Sequence, residues 1–195
     1  FFCVIPVSYS FAQQNSDHKL FIDQSLKPFY HGVASGDPLT DRVIIWTRVT
    51  PDTGSTSPVL VTWKIATDTG MTQVINSGFL ITNASSDYTV KVDVTGLQPN
   101  TYYFYEFKAL NKNSIRGRTK TAPVGDVDSL RFAVVNCVNF EGGYFNAYNI
   151  LTARNDVDAI ILPGDYMYEY GTGEYPQTAT PVRLVEPLNE ITTLA

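Results

Sequence analysis

The chain has few of the residues that would indicate a nucleic-acid or membrane partner. Only 17% of its 195 residues are charged, the formal net charge is −5, and Lys and Arg form no run. A protein that binds phosphate backbones needs a basic face, so no specific nucleic-acid surface is expected. No apolar stretch is long enough to cross a bilayer, so no transmembrane anchor is expected either.

The first residue is Phe, so the natural start is expected to lie upstream. Residues 1–12, FFCVIPVSYSFA, are typical of the tail of a secretory signal peptide, with Ser10 and Ala12 placed like the small residues of a cleavage site. The polar sequence that follows suits a mature N-terminus, and residues 13–28 are predicted to form a leader. A buried N-terminal strand is the alternative. We therefore expect an exported protein, periplasmic or extracellular.

Cysteine is scarce, with two in the whole chain. Cys3 falls in the predicted signal segment, which leaves Cys137 as the single cysteine of the expected mature chain. Exported proteins normally pair their cysteines. Cys137 is therefore a buried inert side chain, a cysteine whose partner lies elsewhere, or a metal ligand. Composition alone favours the first.

Residues 29–122 carry the pattern of an antiparallel β-sandwich of the fibronectin III or immunoglobulin type. Apolar residues alternate in four segments, and turn sequences such as SGDP, TPDTGS and LQPN separate them. The sequence GLQPNTYYFYEF resembles the tyrosine corner of fibronectin type III domains, in which Leu97 and Tyr103 wedge the start of a late strand. The alternating residues are Val43, Ile45 and Thr47; Val59, Val61, Trp63 and Ile65; Val90, Val92 and Val94; Tyr103, Tyr105 and Phe107.

The pattern changes after a polar linker near residues 124–129. LRFAVVN and DAIILPGDYMYEY predict two strands buried on both faces, because their apolar runs are nearly continuous. GGYFNAYNILTAR predicts a helix between them, with Phe145, Tyr148, Ile150 and Leu151 at helical spacing. The expected arrangement of residues 129–195 therefore begins with a β-α-β unit, parallel and with a right-handed crossover. The predicted fold class is mixed, a sandwich followed by an α/β domain.

Polar side chains follow both predicted strands, and the carboxyl ends of parallel strands meet at one edge of a sheet. The Asp165 carboxylate can bridge two cations, and the Tyr168 phenol can bind a hard ferric ion. Gly164 is expected to allow the tight turn before them. Cys137, as a thiolate, would be a third ligand. Two such metals can hold a phosphoryl group and activate water for attack.

Each of these residues also has a simpler interpretation. Taken alone, Asp165 is more typical of a turn or a helix N-cap. Tyr166 and Tyr168 suit ordinary aromatic packing. Asn136 and Asn139 are typical turn residues, and these two and Tyr166 have at most a supporting role around the metals. Among the remaining candidates, Glu169 is expected to be solvated, His31 structural and His18 exposed.

The segments HGVASGDPLTDRVIIWTRVTP, GLQPNTYYFYEF, RFAVVNCVNFEGGYFNAYNIL and DAIILPGDYMYEYG, in this order, resemble the opening of PhoD-type alkaline phosphatases and phosphodiesterases. The resemblance implies a small sandwich followed by a four-layer α/β/β/α metallophosphoesterase domain. It also implies that Cys137 and Tyr168 bind Fe3+, that Asp165 bridges it to Ca2+, and that the substrate is a phosphate mono- or diester. Purple acid phosphatases share the GDxxY motif, but they usually have Asp where this chain has Cys137.

The further metal ligands of that family lie downstream of the GDxxY motif, whereas both histidines of this chain lie upstream. The chain is therefore expected to be the N-terminal part of an exported, metal-dependent phosphoesterase, and to be inactive by itself. A fibronectin III-like binding or cell-surface module and a purple-acid-type phosphatase are the alternatives. The sandwich is expected to be stable alone and the second domain marginal.

Overall fold

The computed structural model of the chain describes residues 23–52, 54–175 and 188–192. The predicted signal segment 1–12, most of the predicted leader 13–28 and His18 lie outside the described residues. The described residues fall into two compact units. The larger unit contains the residues up to 132 together with 156–159, and the smaller contains 133–155 and the residues from 160 onwards.

The larger unit contains two antiparallel sheets. One has the strand order β1-β2-β5, and the other has the order β4-β3-β6-β7, with β8 also paired to β6. The strands are β1 (Val33–Gly36), β2 (Arg42–Arg48), β3 (Val59–Ala66), β4 (Val74–Thr82), β5 (Thr89–Thr95), β6 (Tyr102–Ala109), β7 (Lys112–Asn113) and β8 (Gly117–Lys120). Two 3₁₀ turns, Gln24–Leu26 and Ala84–Ser86, complete this unit.

The core lies between these sheets and consists of the inward side chains of the strands. The alternation predicted for β2, β3, β5 and β6 is confirmed, because alternate residues of each strand are buried. Phe29 closes one part of this core, and Leu97 is buried beside the start of β6. The hydroxyl of buried Tyr103 accepts a hydrogen bond from the backbone N–H of Gln98 at 2.8 Å, the contact that a tyrosine corner makes.

Strand β4 does not show the alternation that would have revealed it in the sequence. Its exposed face carries large apolar residues, including Ile75 and Phe79, whereas Gly78 lies opposite Trp63, which packs against the core. A Cβ atom at Gly78 would lie 2.9 Å from the indole of Trp63. Glycine at position 78 therefore leaves space for the indole of Trp63.

The smaller unit contains one helix and, apart from their first residues Phe132 and Ala159, two short paired strands. They are β9 (Phe132–Val134), α1 (Asn146–Ala153) and β10 (Ala159–Ile161), and β9 pairs with β10. Asp158 N donates to Arg131 O and Val135 N donates to Ile161 O, so the partners advance together along both segments, as parallel strands require. The helix prediction is confirmed. The full β-α-β unit with its right-handed crossover stays a prediction.

The prediction that these strands are buried on both faces is wrong for the described residues. Phe132 and Val134 of β9 are exposed, and so are Ile160 and Ile161 of β10. Helix α1 has no buried residue either. A continuous apolar run becomes buried only where a layer covers each face of the sheet, and the described part supplies two short strands and one helix. No helix of the described part is long and apolar enough to cross a membrane.

His31 contacts Arg48 in the larger unit, and its structural role stays a prediction. Its Nε2 lies 2.7 Å from Nη1 of Arg48, whose guanidinium also donates two hydrogen bonds to the carboxylate of Asp87. Burial and then the positive charge of Arg48 lower the pKa of His31 below its usual value of 6.5. The neutral imidazole is therefore the form that the folded state favours.

We predict that this contact makes the sandwich less stable in mild acid. The unfolded chain binds more protons than the folded chain as the pH falls below about 6.5, so stability is lost over that range. Urea unfolding followed by tryptophan fluorescence, at pH 7.5 and 5.5, should show a larger drop in midpoint for the native sequence than for His31→Gln. Equal drops in both proteins would show that His31 does not couple stability to pH.

Candidate metal centre

The ends of β9 and β10 bring Cys137, Asp165 and Tyr168 together in the smaller unit. The Sγ atom of Cys137 lies 3.4 Å from Oδ2 of Asp165, and Oη of Tyr168 lies 3.5 Å from the same oxygen. The backbone N–H of Val138 donates to the carbonyl oxygen of Asp165 at 2.9 Å, which ties the two segments together. The three side chains therefore converge on one carboxylate oxygen.

Both segments reach this point through unusual backbone conformations. Cys137 has φ 56° and Asp165 has φ 51°, in the left-handed region that favours glycine. Each such residue costs on the order of 1–3 kcal/mol, and conformations of this kind concentrate at functional sites. Gly164, which was expected to allow the turn, has an ordinary φ; the left-handed residue of the GDxxY sequence is Asp165 itself.

The charge distribution of this group suits a cation. Desolvation, the hydrogen bond with Cys137 and the negative charge of Asp165 raise the pKa of Tyr168 to about 12. A bound cation would reverse this effect, because it favours the ionised forms of phenol and thiol. In the described part of the chain, no Lys or Arg side chain pairs with Asp165.

The spacing of the donor atoms also fits a shared ion. Two ligands at about 2.0–2.3 Å from one metal lie about 2.8–3.8 Å apart for bond angles near 90–110°. The two observed separations, 3.4 and 3.5 Å, lie in this range. No cluster of three or more His, Cys, Asp or Glu able to hold a metal occurs among the described residues. The present group has two such side chains, and its third donor is a phenol.

The exposure of Cys137 removes one of its interpretations. The side chain is a free, exposed thiol, so the interpretation as a buried inert cysteine is wrong. Asp165 does not cap any helix of the described part, and its carboxylate instead contacts Cys137 and Tyr168. Its assignment as a metal ligand stays a prediction.

The residues proposed to support the site divide into two groups. Asn139 is a turn residue, because its Oδ1 accepts hydrogen bonds from the N–H groups of Glu141 and Gly142 at 2.9 and 3.0 Å. Its Nδ2 donates to the carbonyl oxygen of Tyr175 at 3.0 Å. Asn136 and Tyr166 are both exposed, and the structure gives neither a side-chain hydrogen bond to the converging group.

An aromatic cavity beside Tyr168 was not anticipated from the sequence. Tyr168 stacks on Tyr175 with ring centres 5.4 Å apart, and the ring centre of Tyr170 also lies 5.4 Å from that of Tyr175. Together with Phe140 and Phe145 these rings line an open cavity of about 380 Å³. Tyr175 lies in a loop segment without periodicity, so no pattern in the sequence pointed to it.

Glu141 also lines this cavity and was equally missed. Its carboxylate is buried, with 4% of the residue exposed, and accepts a hydrogen bond from the N–H of Gly173. It therefore joins the turn after β9 to the loop that carries Tyr175. A single glutamate in a Gly-containing turn has no sequence signal that would distinguish it from a solvated residue.

Two families of known proteins match the chain along most of its length. The N-terminal domain of PhoD-like phosphatases matches residues 14–123, and the PhoD-like phosphatase family matches residues 132–195. The chain belongs to the PhoD-like phosphatase family. The predicted resemblance is therefore confirmed. The two matched regions together include residues of both the larger and the smaller unit.

Individual members of the family match over long segments. Alkaline phosphatase D of Bacillus subtilis (strain 168) is 40% identical over 163 residues, which cover 80% of this chain and 28% of that protein. The solved structure of PhoD superposes with a TM-score of 0.79 at 35% identity, covering 93% of this chain and 34% of that one. The chain thus spans about a third or less of the length of these relatives.

We predict that Cys137 is open to reagents in the folded protein, because its thiol is exposed. In a Cys3→Ser background, iodoacetamide should label Cys137 at a rate comparable with that of the urea-unfolded chain, measured by mass spectrometry. Strong protection of the folded chain would contradict the position of the thiol described above.

Proposed function

We propose that this chain supplies the first metal ligands of an exported, metal-dependent phosphoesterase that hydrolyses phosphate mono- or diesters. The observation that supports this most directly is the convergence of Cys137 and Tyr168 on one oxygen of Asp165. Membership of the PhoD-like phosphatase family supports the interpretation of these three side chains as metal ligands of a phosphoesterase. Export is inferred from residues 1–12, which lie outside the described part.

The three side chains have distinct roles in this proposal. Cys137 and Tyr168 would hold Fe3+ through Sγ and Oη, and the Asp165 carboxylate would bridge it to Ca2+. The bound ions would supply positive charge to the phosphoryl group and lower the pKa of a bound water. The thiol and the phenol both face Asp165, so ion binding would displace both of their protons. Iron affinity should accordingly rise with pH.

The aromatic cavity is suited to the organic part of the ester. It opens beside Tyr168, and the described residues of its lining include no Lys or Arg that would bind a second phosphate group. Stacked tyrosine rings favour flat or apolar groups. We therefore assign the phosphoryl group to the metal side of Tyr168 and the uncharged alcohol portion to the cavity.

The finer fold assignment also belongs to this proposal. The strand orders β1-β2-β5 and β4-β3-β6-β7, with the consecutive strands β2 and β3 in different sheets, support a fibronectin III-like sandwich. We propose this type for residues 29–122. Residues 129–195 would then begin the α/β/β/α metallophosphoesterase layer structure with a β-α-β unit.

We predict that Fe3+ protects Cys137 from alkylation and produces a visible phenolate-to-iron absorption band, because both side chains become ligands of one ion. The Tyr168→Phe variant should lose the band, and Asp165→Ala should lose both effects. Asn136→Ala is the matched control, since this exposed neighbour makes no hydrogen bond to the converging group. Iron binding that is unchanged in both Asp165→Ala and Tyr168→Phe would eliminate the proposed ligand set.

We also predict that the 195-residue chain alone hydrolyses no detectable chromogenic phosphate mono- or diester with Fe3+ and Ca2+ supplied. The described site offers three donors, fewer than two hard cations require. A full-length PhoD-like phosphatase assayed in parallel is the positive control. Metal-dependent release of nitrophenol by the purified chain would refute this expectation.

A further inference from the structure

The carboxylate of Asp158 joins three segments of the chain just before the strands that carry the candidate site. Its Oδ1 accepts from Nζ of Lys120 at 2.5 Å, and its Oδ2 accepts from the backbone N–H of Arg131 at 2.9 Å. The N–H of Asp158 in turn donates to the carbonyl oxygen of Arg131 at 2.8 Å. All three residues belong to the larger unit.

These bonds fix the start of β9 against the start of β10. Arg131 immediately precedes β9 and Asp158 immediately precedes β10, while Lys120 is the last residue of β8. Cys137 follows Arg131 by six residues and Asp165 follows Asp158 by seven. The same pair of segments therefore begins at the Asp158 contact and ends at the candidate metal ligands.

Apart from the backbone bonds from Val135 N to Ile161 O and from Val138 N to Asp165 O, little else in the described structure fixes the register of this strand pair. Register is strongly specified where one face of a sheet is buried, because a slip of one residue then exposes its apolar side chains. Here Phe132, Val134, Ile160 and Ile161 are all exposed, so a slip would carry a small penalty. A one-residue slip would shift the two strand ends by about 3.3 Å, comparable with the 3.4 Å between Sγ of Cys137 and Oδ2 of Asp165.

The Lys120–Asp158 pair is also better shielded than a surface ion pair. The side chains of Lys120 and Asp158 are 18% and 20% exposed, and Nζ of Lys120 lies 5.0 Å from the ring centre of Tyr102. The hydrogen bond from Lys120, followed by that from the Arg131 N–H, lowers the pKa of Asp158. The carboxylate is thus ionised and held from two sides at neutral pH.

We propose that Asp158, held by Lys120, is a positioning residue that sets the register of β9 on β10 and thereby the spacing of Cys137 and Asp165. The role of this spacing in metal binding rests on the proposed function. The register itself does not, and the two can be tested separately.

The test uses three variants and one control in the Cys3→Ser chain. Asp158→Ala removes both hydrogen bonds of the carboxylate, Asp158→Asn keeps an acceptor for the Arg131 N–H, and Lys120→Met removes only the ion pair. Asp128→Asn, an exposed carboxylate in the linker, is the control. Three properties are measured: hydrogen exchange of the Val135 amide, Fe3+ affinity from protection of Cys137, and the urea midpoint from tryptophan fluorescence.

We expect Asp158→Ala to speed the exchange of the Val135 amide, which bonds to Ile161 across the strand pair. It should weaken Fe3+ binding by about tenfold or more, the size seen when groups that orient metal ligands are removed. Asp158→Asn and Lys120→Met should fall between Asp158→Ala and the native chain. The urea midpoint, reported by Trp46 and Trp63 of the sandwich, checks that each variant still folds. Asp128→Asn should behave as the native chain throughout.

Two outcomes would overturn the proposal. Native exchange of Val135 in Asp158→Ala would show that the carboxylate does not set the register. Faster exchange with unchanged iron affinity would show that the register does not control the ligand spacing. If the native chain itself binds no iron, the proposed function fails, and the exchange measurement alone still decides the role of Asp158.

Discussion

The candidate site depends on the backbone pairing of β9 with β10. The two strands are short and make few bonds, but they deliver a thiol from one segment and a carboxylate from the other to the same place. The bond from Val138 N to Asp165 O closes the pair at its far end, where both Cys137 and Asp165 adopt left-handed conformations. The side chains meet because the main chain is bent at both strand ends, and this bending is the strain that the rest of the unit must stabilise.

The two units are stabilised by different kinds of interaction. In the larger unit, inward side chains of two sheets form one cluster around Val43, Ile65 and Tyr103, and each fully buried aliphatic side chain contributes roughly 1.5–3 kcal/mol. In the described part of the smaller unit, Glu141 is a buried carboxylate, and large apolar residues on its strands and helix are exposed. Hydrogen bonds and stacked aromatic rings, such as Tyr168 on Tyr175, therefore contribute a larger share of the stability of the smaller unit.

The sequence predicted the features that follow from periodicity and from topology. Strands β2, β3, β5 and β6 alternate because one face of each is buried, and the helix follows a 3.6-residue period. The meeting of Cys137 with Asp165 followed from the rule that parallel strands end at the same edge. Strand β4 was not predicted, because its solvent-facing side chains are more apolar than those on its inward face. The sequence also did not predict the roles of Tyr175, Glu141 and Asp158. Their contacts are single long-range bonds from loops, which leave no periodic pattern in the sequence.

The exposed thiol of Cys137 makes the proposed metal site sensitive to oxidation. Cys137 has no disulfide partner among the described residues and is open to solvent. An accessible thiolate is converted by oxidants to sulfenic acid and then irreversibly to sulfinic acid, which replaces one sulfur donor by a bulkier oxygen-bearing group. A cation that occupies the sulfur first blocks this route. In the proposed metal centre, metal binding and oxidation therefore compete for the same sulfur, and a chain oxidised to sulfinic acid can no longer bind the ion through a thiolate.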